Sequence, residues 1–483
     1  MKVLKNYFWN VSYQMLLILV PTITMPWISR TLGPTGVGIN SYTASIVQYF
    51  LIAGDLGTAL YANRQIAYVR DDKEKLSYTF WEIFWLRCIT LLVALSAFLF
   101  FVFFERKFTV IYLVQGIAIV ASFFDVSWLF MGMENFRITV IRNMVVKLVG
   151  LLAIVLFVNE SSDTLLYIAI ITTTNLLGNF TMIPYITKYV EFKKVDLINI
   201  FKHLKGAFIL FLPAVAIQLY TVLNKTMVGV LVNTDASGFY FNTDGLIKII
   251  LSLVTATGAV MLPHISNAFA NKDMVTVRKM LYKFFDFSLF MSLPIAAGVA
   301  AIALNFAPWF FTEAFKEVGQ LMFLESPVIV FISLSTVIGV QYLLPTRQNK
   351  LYIWSLMGGA ILNIIINVPL IIQFKVYGAI FGTTMAEFCI VLLELVGIRK
   401  QISIKLLFKN FSKYFIGSFL MFMVVFPINI YWHIINGAAG FLILGVEILI
   451  GAVIYISMMF ILKPTIISEN LSLINLFLKK IKK

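Results

Sequence analysis

The sequence predicts an all-α polytopic membrane protein. Three observations carry this reading. Of the 483 residues, 60% are hydrophobic and only 13% are charged, about half the charged share of a soluble domain. The mean hydropathy is +0.92. Apolar runs of the ~20 residues that a bilayer span requires recur along the whole chain. These runs are too long, and alternate too little, to be strands of a membrane barrel. No polar stretch approaches the ~100 residues of a separate catalytic domain, which excludes a water-soluble enzyme.

Apolar runs between polar breaks give about 14 spans, near 10–30, 40–62, 80–104, 109–131, 138–158, 164–187, 206–231, 239–262, 283–306, 318–345, 351–373, 377–398, 411–433 and 437–462. Lys2 and Lys5 precede the first run as they would precede a signal peptide. That run is too long for one, carries Pro21 and Pro26, and ends in Ser29-Arg30 without a small-residue cleavage site. It is read as a retained helix. Pro21, Pro26, Pro213, Pro294, Pro327, Pro369 and Pro427 interrupt the runs, and the first and seventh spans are natural places to bend.

Alternate loops carry very different charge. Arg64, Arg70, Arg137, Arg142, the lysines of 188–205, and Lys400, Lys405, Lys409 and Lys413 fall on one side, with both termini; in all, 29 of the 38 Lys and Arg do. The other side holds Arg30, Arg106, Lys107, Lys316 and Lys375. Positive charge near span ends stays cytoplasmic, so both termini are expected inside. Most of the net charge of +15 is then a topology signal and an attraction to anionic inner-leaflet lipid, and nucleic acid is not an expected partner. Cys88 and Cys389 lie in apolar runs and there are three histidines. That supports no disulfide framework, metal site or other cofactor. No phosphate-binding Gly-x-x-x-x-Gly-Lys loop occurs, so ATP hydrolysis is not expected.

The Lys-rich amphipathic connection 188–205 divides the chain. The expected organisation is a six-helix lobe over 1–190, a second over 191–405 beginning with that linker, and two last helices with a basic tail over 406–483. A weak repeat supports two related lobes. Pro21, Gly36, Gly38, Tyr42 and Thr43 are echoed by Pro213, Ser237, Gly238, Asn242 and Thr243, at offsets of 192 at the prolines and 200 at the threonines. Both sets start on the same side, as in parallel duplication.

Several stretches carry a resemblance. They are WNVSYQMLLILVPTITMPWISRTLGPTGVGINSYTASIVQY from Trp9, DVSWLFMGMENF from Asp125, LPAVAIQLYTVLNKTMVG from Leu212, LPHISNA from Leu262 and GAIFGTTMAE from Gly378. In these and in its order of spans the chain resembles the bacterial Wzx-type polysaccharide flippases of the multidrug/oligosaccharidyl-lipid/polysaccharide exporter superfamily. The resemblance implies a multi-pass protein of the plasma (inner) membrane that is not an enzyme. Such a protein moves an undecaprenyl-diphosphate-linked oligosaccharide to the outer leaflet for capsule, exopolysaccharide or O-antigen synthesis. It also implies an H+ or Na+ gradient and other polysaccharide assembly proteins as partners. Asn224 precedes Lys225 where the family usually has an acidic residue, so no ion pair is expected there.

A charge at a span centre costs about 2.5–3.5 kcal/mol on insertion scales, so such residues are usually functional or paired. The cations are Arg30, Arg87, Lys147, Lys225 and Lys248; the anions are Asp55, Asp125, Asp244, Glu325, Glu387, Glu394 and Glu447. A diphosphate headgroup needs fixed cations in a water-filled cleft. Arg30 and Lys225, on the repeat-related helices, fit this best, Arg as a bidentate fork and Lys as a point charge. Each candidate also has a plainer reading. Arg30 could snorkel to the interface. Lys248 could pair with Asp244 four residues earlier, and Arg87 with Glu82. Lys147 could line a cavity, and Arg64 could guard the cytoplasmic entrance or merely anchor topology. Asp55, Glu387 and Asp125 are the ion-coupling candidates, with Asp55 also readable as a counter-ion of a neighbouring Lys. Trp27, Tyr42, Tyr49, Tyr61, Tyr220 and Tyr240 could stack on sugars or serve interfacial belts and packing.

Two alternatives stand beside this reading. A multidrug exporter of the same fold would want an acidic, aromatic cavity. A membrane glycosyltransferase or polysaccharide polymerase would need a sizeable catalytic loop, and the longest outer loop is only about a dozen residues.

Overall fold

The computed structural model describes residues 2–255, 258–432 and 438–468, with side chains from Met15 onward except at 212–214, 216, 217, 219, 220, 253, 258–263 and 438. His433, the tail 479–483 and the side chains of Pro213 and Tyr220 lie outside the described residues.

A bilayer offers the backbone no hydrogen-bond partners, so an apolar chain crosses it by pairing its own amides in helices. Every regular element among the described residues is accordingly helical, and a helix lies at each of the fourteen expected positions. Among the described residues, ten helices are long and apolar enough to cross a membrane, or eleven if the pair Glu313–Glu325 and Pro327–Leu343, bent by 48°, forms one span. The Leu204–Leu231 and Thr234–Thr255 helices are further elements outside that number.

The first two expected spans are not separated by a loop. One helix runs Lys2–Asp55 and breaks at Gly33, with φ 66° and ψ −177°. That conformation is essentially restricted to glycine. Pro34 follows and removes an amide donor, so helix ends and restarts without a connecting segment. The third expected span begins at Lys73, capped by Asp72, whose carboxylate accepts from the Glu74 and Lys75 amides at 3.2 and 3.1 Å.

The chain divides into two compact units, Met1–Gly238 and Phe239–Lys483. In the first, the Lys2–Asp55 helix packs against Lys73–Phe104, Phe136–Phe157 and Leu204–Leu231. One core cluster stacks Phe80 on Trp128, ring centroids 5.0 Å apart, beside Ile66, Ile83 and Phe130. In the second, Asn349–Phe374 and Val376–Ile398 form a tight hairpin through Lys375 at φ 54°. Gly378, Gly382 and Ala386 line its buried face at four-residue spacing, which lets the two backbones close up. Met274–Phe310 packs against Phe411–Trp432 and Ala438–Leu462. An α-helix, Pro327–Ser335, turns into π-helix over Thr336–Leu343.

Candidate functional site

The repeat-related segments meet. Thr35 Oγ1 donates to Asp235 at 3.4 Å, and the Ser41 and Ser237 hydroxyls lie 3.0 Å apart. A Cβ on Gly38 would come within 2.1 Å of the Thr234 carbonyl oxygen, and one on Gly238 within 2.8 Å of the Gly38 nitrogen. Thus 35 faces 235 and 38 faces 238, at the 200-residue offset read from the sequence. Contact between equivalent positions is what a local two-fold relation between the two helix starts produces.

Arg30 and Lys225 flank this junction. Arg30 is exposed, three residues before the Gly33 break. Lys225 is half-buried on Leu204–Leu231, and its carbonyl accepts from Ser237 Oγ at 3.1 Å. The next residue, Thr226, binds Ser45 at 2.8 Å and the Tyr49 hydroxyl at 2.9 Å, holding this helix to Lys2–Asp55.

Arg87 is 4% exposed and is paired with Asp55. It also donates to Thr58 and to the Ser122 carbonyl, each at 3.2 Å. This corrects two expectations. The partner of Arg87 is not Glu82, five residues away, because tertiary packing brings Asp55 closer. The counter-ion of Asp55 is an arginine, not a lysine. Asp125 accepts from the Ser127 amide at 3.0 Å and faces Arg142 at 3.5 Å. Lys147 is half-buried on Phe136–Phe157, and Arg64 is exposed on Thr58–Val69.

Glu82 has a different set of partners, which sequence reasoning missed. It accepts from Lys202 at 2.9 Å and from His203 Nε2 at 2.8 Å, while His203 Nδ1 lies 2.8 Å from the Tyr61 hydroxyl. A neutral imidazole satisfies both contacts, with Tyr61 donating to Nδ1 and Nε2–H donating to Glu82. Burial lowers the His203 pKa below its ordinary value; Glu82 opposes that and Lys202 reinforces it. The signal for this cluster was a lone histidine at the end of the linker, next to a lysine.

The second unit buries Asp244, Glu325, Glu387, Glu394 and Glu447. Lys248 binds Asp244 at 2.8 Å, the four-residue pair anticipated from spacing. Glu325 and Glu387, both buried, are within electrostatic reach of Lys248. Glu394 is fully buried and accepts from Ser335 at 3.1 Å and Ser355 at 3.4 Å. Glu447, also fully buried, accepts from Asn429 Nδ2 at 2.8 Å, and the Asn429 carbonyl accepts from Asn305. One oxygen each of Glu394, Glu447 and Asn429 has no hydrogen-bond partner among the described residues.

The aromatic candidates with described side chains have partners within the protein. Trp27 Nε1 donates to the Val158 carbonyl at 3.1 Å, Tyr42 meets Phe108 edge-on, and the Tyr240 hydroxyl lies 3.0 Å from Thr383. No group of metal-ligating side chains occurs among the described residues.

Comparison with known proteins adds the family. The family model "Polysaccharide biosynthesis protein" matches residues 3–269, more than half the chain. Two relatives are each named "Putative O-antigen transporter". One, from Escherichia coli (strain K12), is 24% identical over 77% of this chain and 91% of its own length. The other, from Shigella dysenteriae, is 21% identical over 79% and 96%. Among solved structures, "Lipid II flippase MurJ, inward closed conformation" superposes with a TM-score of 0.74 at 16% identity, covering 94% of this chain and 98% of its own. An inward-facing multidrug resistance MATE family transporter of the MOP superfamily gives 0.60 at 12% identity, covering 81% and 94%. With ten apolar helices, this is a multi-pass protein of the bacterial inner membrane. The chain belongs to the polysaccharide biosynthesis protein family, among the Wzx-type transporters that its sequence resembles.

Proposed function

We propose that the chain is a secondary transporter, not an enzyme, that flips an undecaprenyl-diphosphate-linked oligosaccharide from the cytoplasmic to the outer leaflet by alternating access. The observation that carries this reading is the junction at Gly38 and Gly238, with Arg30 and Lys225 beside it on repeat-related helices. Cations there would replace the hydration of a diphosphate, and Lys147 would extend the cationic surface. The reading includes fourteen crossings, two six-helix lobes with two added helices, both termini cytoplasmic, and an H+ or Na+ gradient acting through Glu387 or Asp125. The Asp55–Arg87 pair is read as structural. Tags at residues 195 and 405 should report the cytoplasm, and tags at 161 and 435 the outside.

Losing one charged hydrogen bond to an ionised partner costs about 1.5–3 kcal/mol, roughly ten- to hundredfold in affinity. Arg30→Ala or Lys225→Ala should therefore cut export per inserted molecule by about that factor at normal abundance. Lys225→Arg should be tolerated better than Arg30→Lys, since an ammonium cannot rebuild a bidentate fork. Wild-type export from both alanine variants would refute the assignment. The buried carboxylates of the second unit favour one alternative, an ion-coupled multidrug exporter of the same fold. Accumulation of a lipid-linked oligosaccharide in the inner leaflet when the protein is removed supports the flippase; its absence supports the exporter.

A further inference from the structure

The first unit contains a cavity of about 770 Å³ between Phe136–Phe157 and the helices that follow it. Its two ends differ in chemistry. At one end stand Arg137 and Lys188, both exposed, and Arg142, whose side chain is 13% exposed. The Lys188 ammonium sits 5.0 Å above the Tyr185 ring. At the other end Val145, Val149 and Leu177 line the wall, each at least half exposed. Positions 138, 142, 145 and 149 recur at three- and four-residue intervals and share one helix face. From Arg142 to Val149 that face runs about 10 Å. It therefore passes from guanidinium to bare aliphatic surface within the depth of one leaflet.

Two carboxylates near this end are already engaged. Asp125 faces Arg142 at 3.5 Å, and Glu134 is paired with Arg70 at 2.7 Å. Arg137 and Lys188 stand exposed beside the Asp125–Arg142 pair. The lysine and arginine asymmetry puts Arg137, Arg142 and Lys188 on the cytoplasmic side. A soluble anion would use the basic end only and leave the aliphatic wall unexplained. A neutral lipid would use the wall and leave the cations unexplained. A lipid with a phosphate headgroup uses both, and basic pockets between helices on the cytoplasmic side are suited to such headgroups.

We propose that this cavity binds an inner-leaflet lipid carrying an anionic phosphate headgroup, at a site separate from Arg30 and Lys225. The headgroup lies against Arg137, Arg142 and Lys188, and the chain lies along Val145 and Val149.

The test uses the full chain purified in detergent. Native mass spectrometry reads retention of phosphatidylglycerol, phosphatidylcholine, farnesyl diphosphate and inorganic phosphate. Phosphatidylglycerol or farnesyl diphosphate should be retained, and phosphatidylcholine and inorganic phosphate should not. Retention of phosphatidylglycerol identifies a bilayer phospholipid as the source; retention of farnesyl diphosphate alone identifies a prenyl carrier. Arg137→Gln combined with Lys188→Gln changes only exposed side chains and should lower retention about tenfold or more. Val149→Trp should do so without altering charge. Arg30→Ala should leave retention unchanged even where it abolishes export, so this site stands or falls independently of the proposed transport. Equal retention of phosphatidylcholine, or unchanged retention in both the charge and the tryptophan variants, would overturn the proposal.

Discussion

Asp55 and Glu447 are both carboxylates inside apolar helices, and their surroundings are opposite. Asp55 faces the Arg87 guanidinium. Two further acids of the first unit are matched likewise: Glu82 with Lys202 and His203, and Asp125 with Arg142. Glu447 faces a carboxamide, and Glu394 in the same unit faces two hydroxyls. A buried ion pair is tolerable while both members are present and destabilising once one is removed. A buried carboxyl with only neutral partners is disfavoured as an anion, so its surroundings favour taking up a proton or a cation. The first unit thus uses charge to fix helices together. In the second, Glu394 and Glu447 join helices through neutral hydrogen-bond partners instead.

One substitution, carboxylate to amide, should therefore give different results in the two units. Asp55→Asn should have the largest effect, about 1.5–3 kcal/mol, because the buried Arg87 loses its charged partner while the 38% exposed Asp55 side keeps the cost below that of a fully buried pair. Unfolding of the purified protein in detergent measures it, and Arg87→Gln added to Asp55→Asn should recover part of the loss. A silent Asp55→Asn would mean that the first unit does not depend on its pairs.

The cluster at Tyr61, Glu82 and His203 should respond to pH. Its histidine has a pKa lowered from 6.5 by burial, so below about pH 6.5 the unfolded chain binds a proton that the folded one resists. Its contribution to stability is complete above that pH and is lost as pH falls through it towards the folded value. Hydrogen exchange of residues 197–205 should rise on acidification in the wild type and not in His203→Gln. An acid response that persists in the variant would place the titrating group elsewhere.

Glu447→Gln should have the smallest effect on stability, within about 1 kcal/mol, since the amide keeps an acceptor for Asn429. A loss as large as that of Asp55→Asn would end the distinction between the units. If Glu447 takes part in coupling, the same variant should lose gradient dependence while remaining folded.

What the sequence revealed follows from the range of the forces involved. Helix positions were legible because twenty apolar residues in lipid have few other options. The Lys248–Asp244 pair was legible because four residues is one helical turn. Arg87 was misassigned because its partner lies 32 residues away across a helix pair, where spacing says nothing. Arg142 read as a loop charge because a topology rule counts residues without asking where they point. Its place on a cavity wall emerges only when Gly178 and Leu177 pack opposite it. The Gly33 break had a signal in the Gly33-Pro34 dipeptide, a turn former, but the first span was read only as ending at Arg30. The Glu447, Asn429 and Asn305 contacts join three helices, and an isolated Asn in an apolar run does not name its partner.

The contacts at the 200-residue offset also bear on how the protein is made. Gly38 leaves the ribosome long before Thr234 and Gly238, against which it packs. At 5–20 residues per second the interval is roughly 10–40 s. For that time the hydroxyls of Thr35 and Ser41 enter the membrane without Asp235 and Ser237. The first unit therefore closes on a segment synthesised last, and no fragment ending before residue 234 can complete it. Chaperoning by the insertion machinery, or a temporary partner at this glycine surface, becomes part of the folding problem. Translation pausing near residue 230 is expected to be the most damaging delay, because one half of the joint is then present and the other is still inside the tunnel.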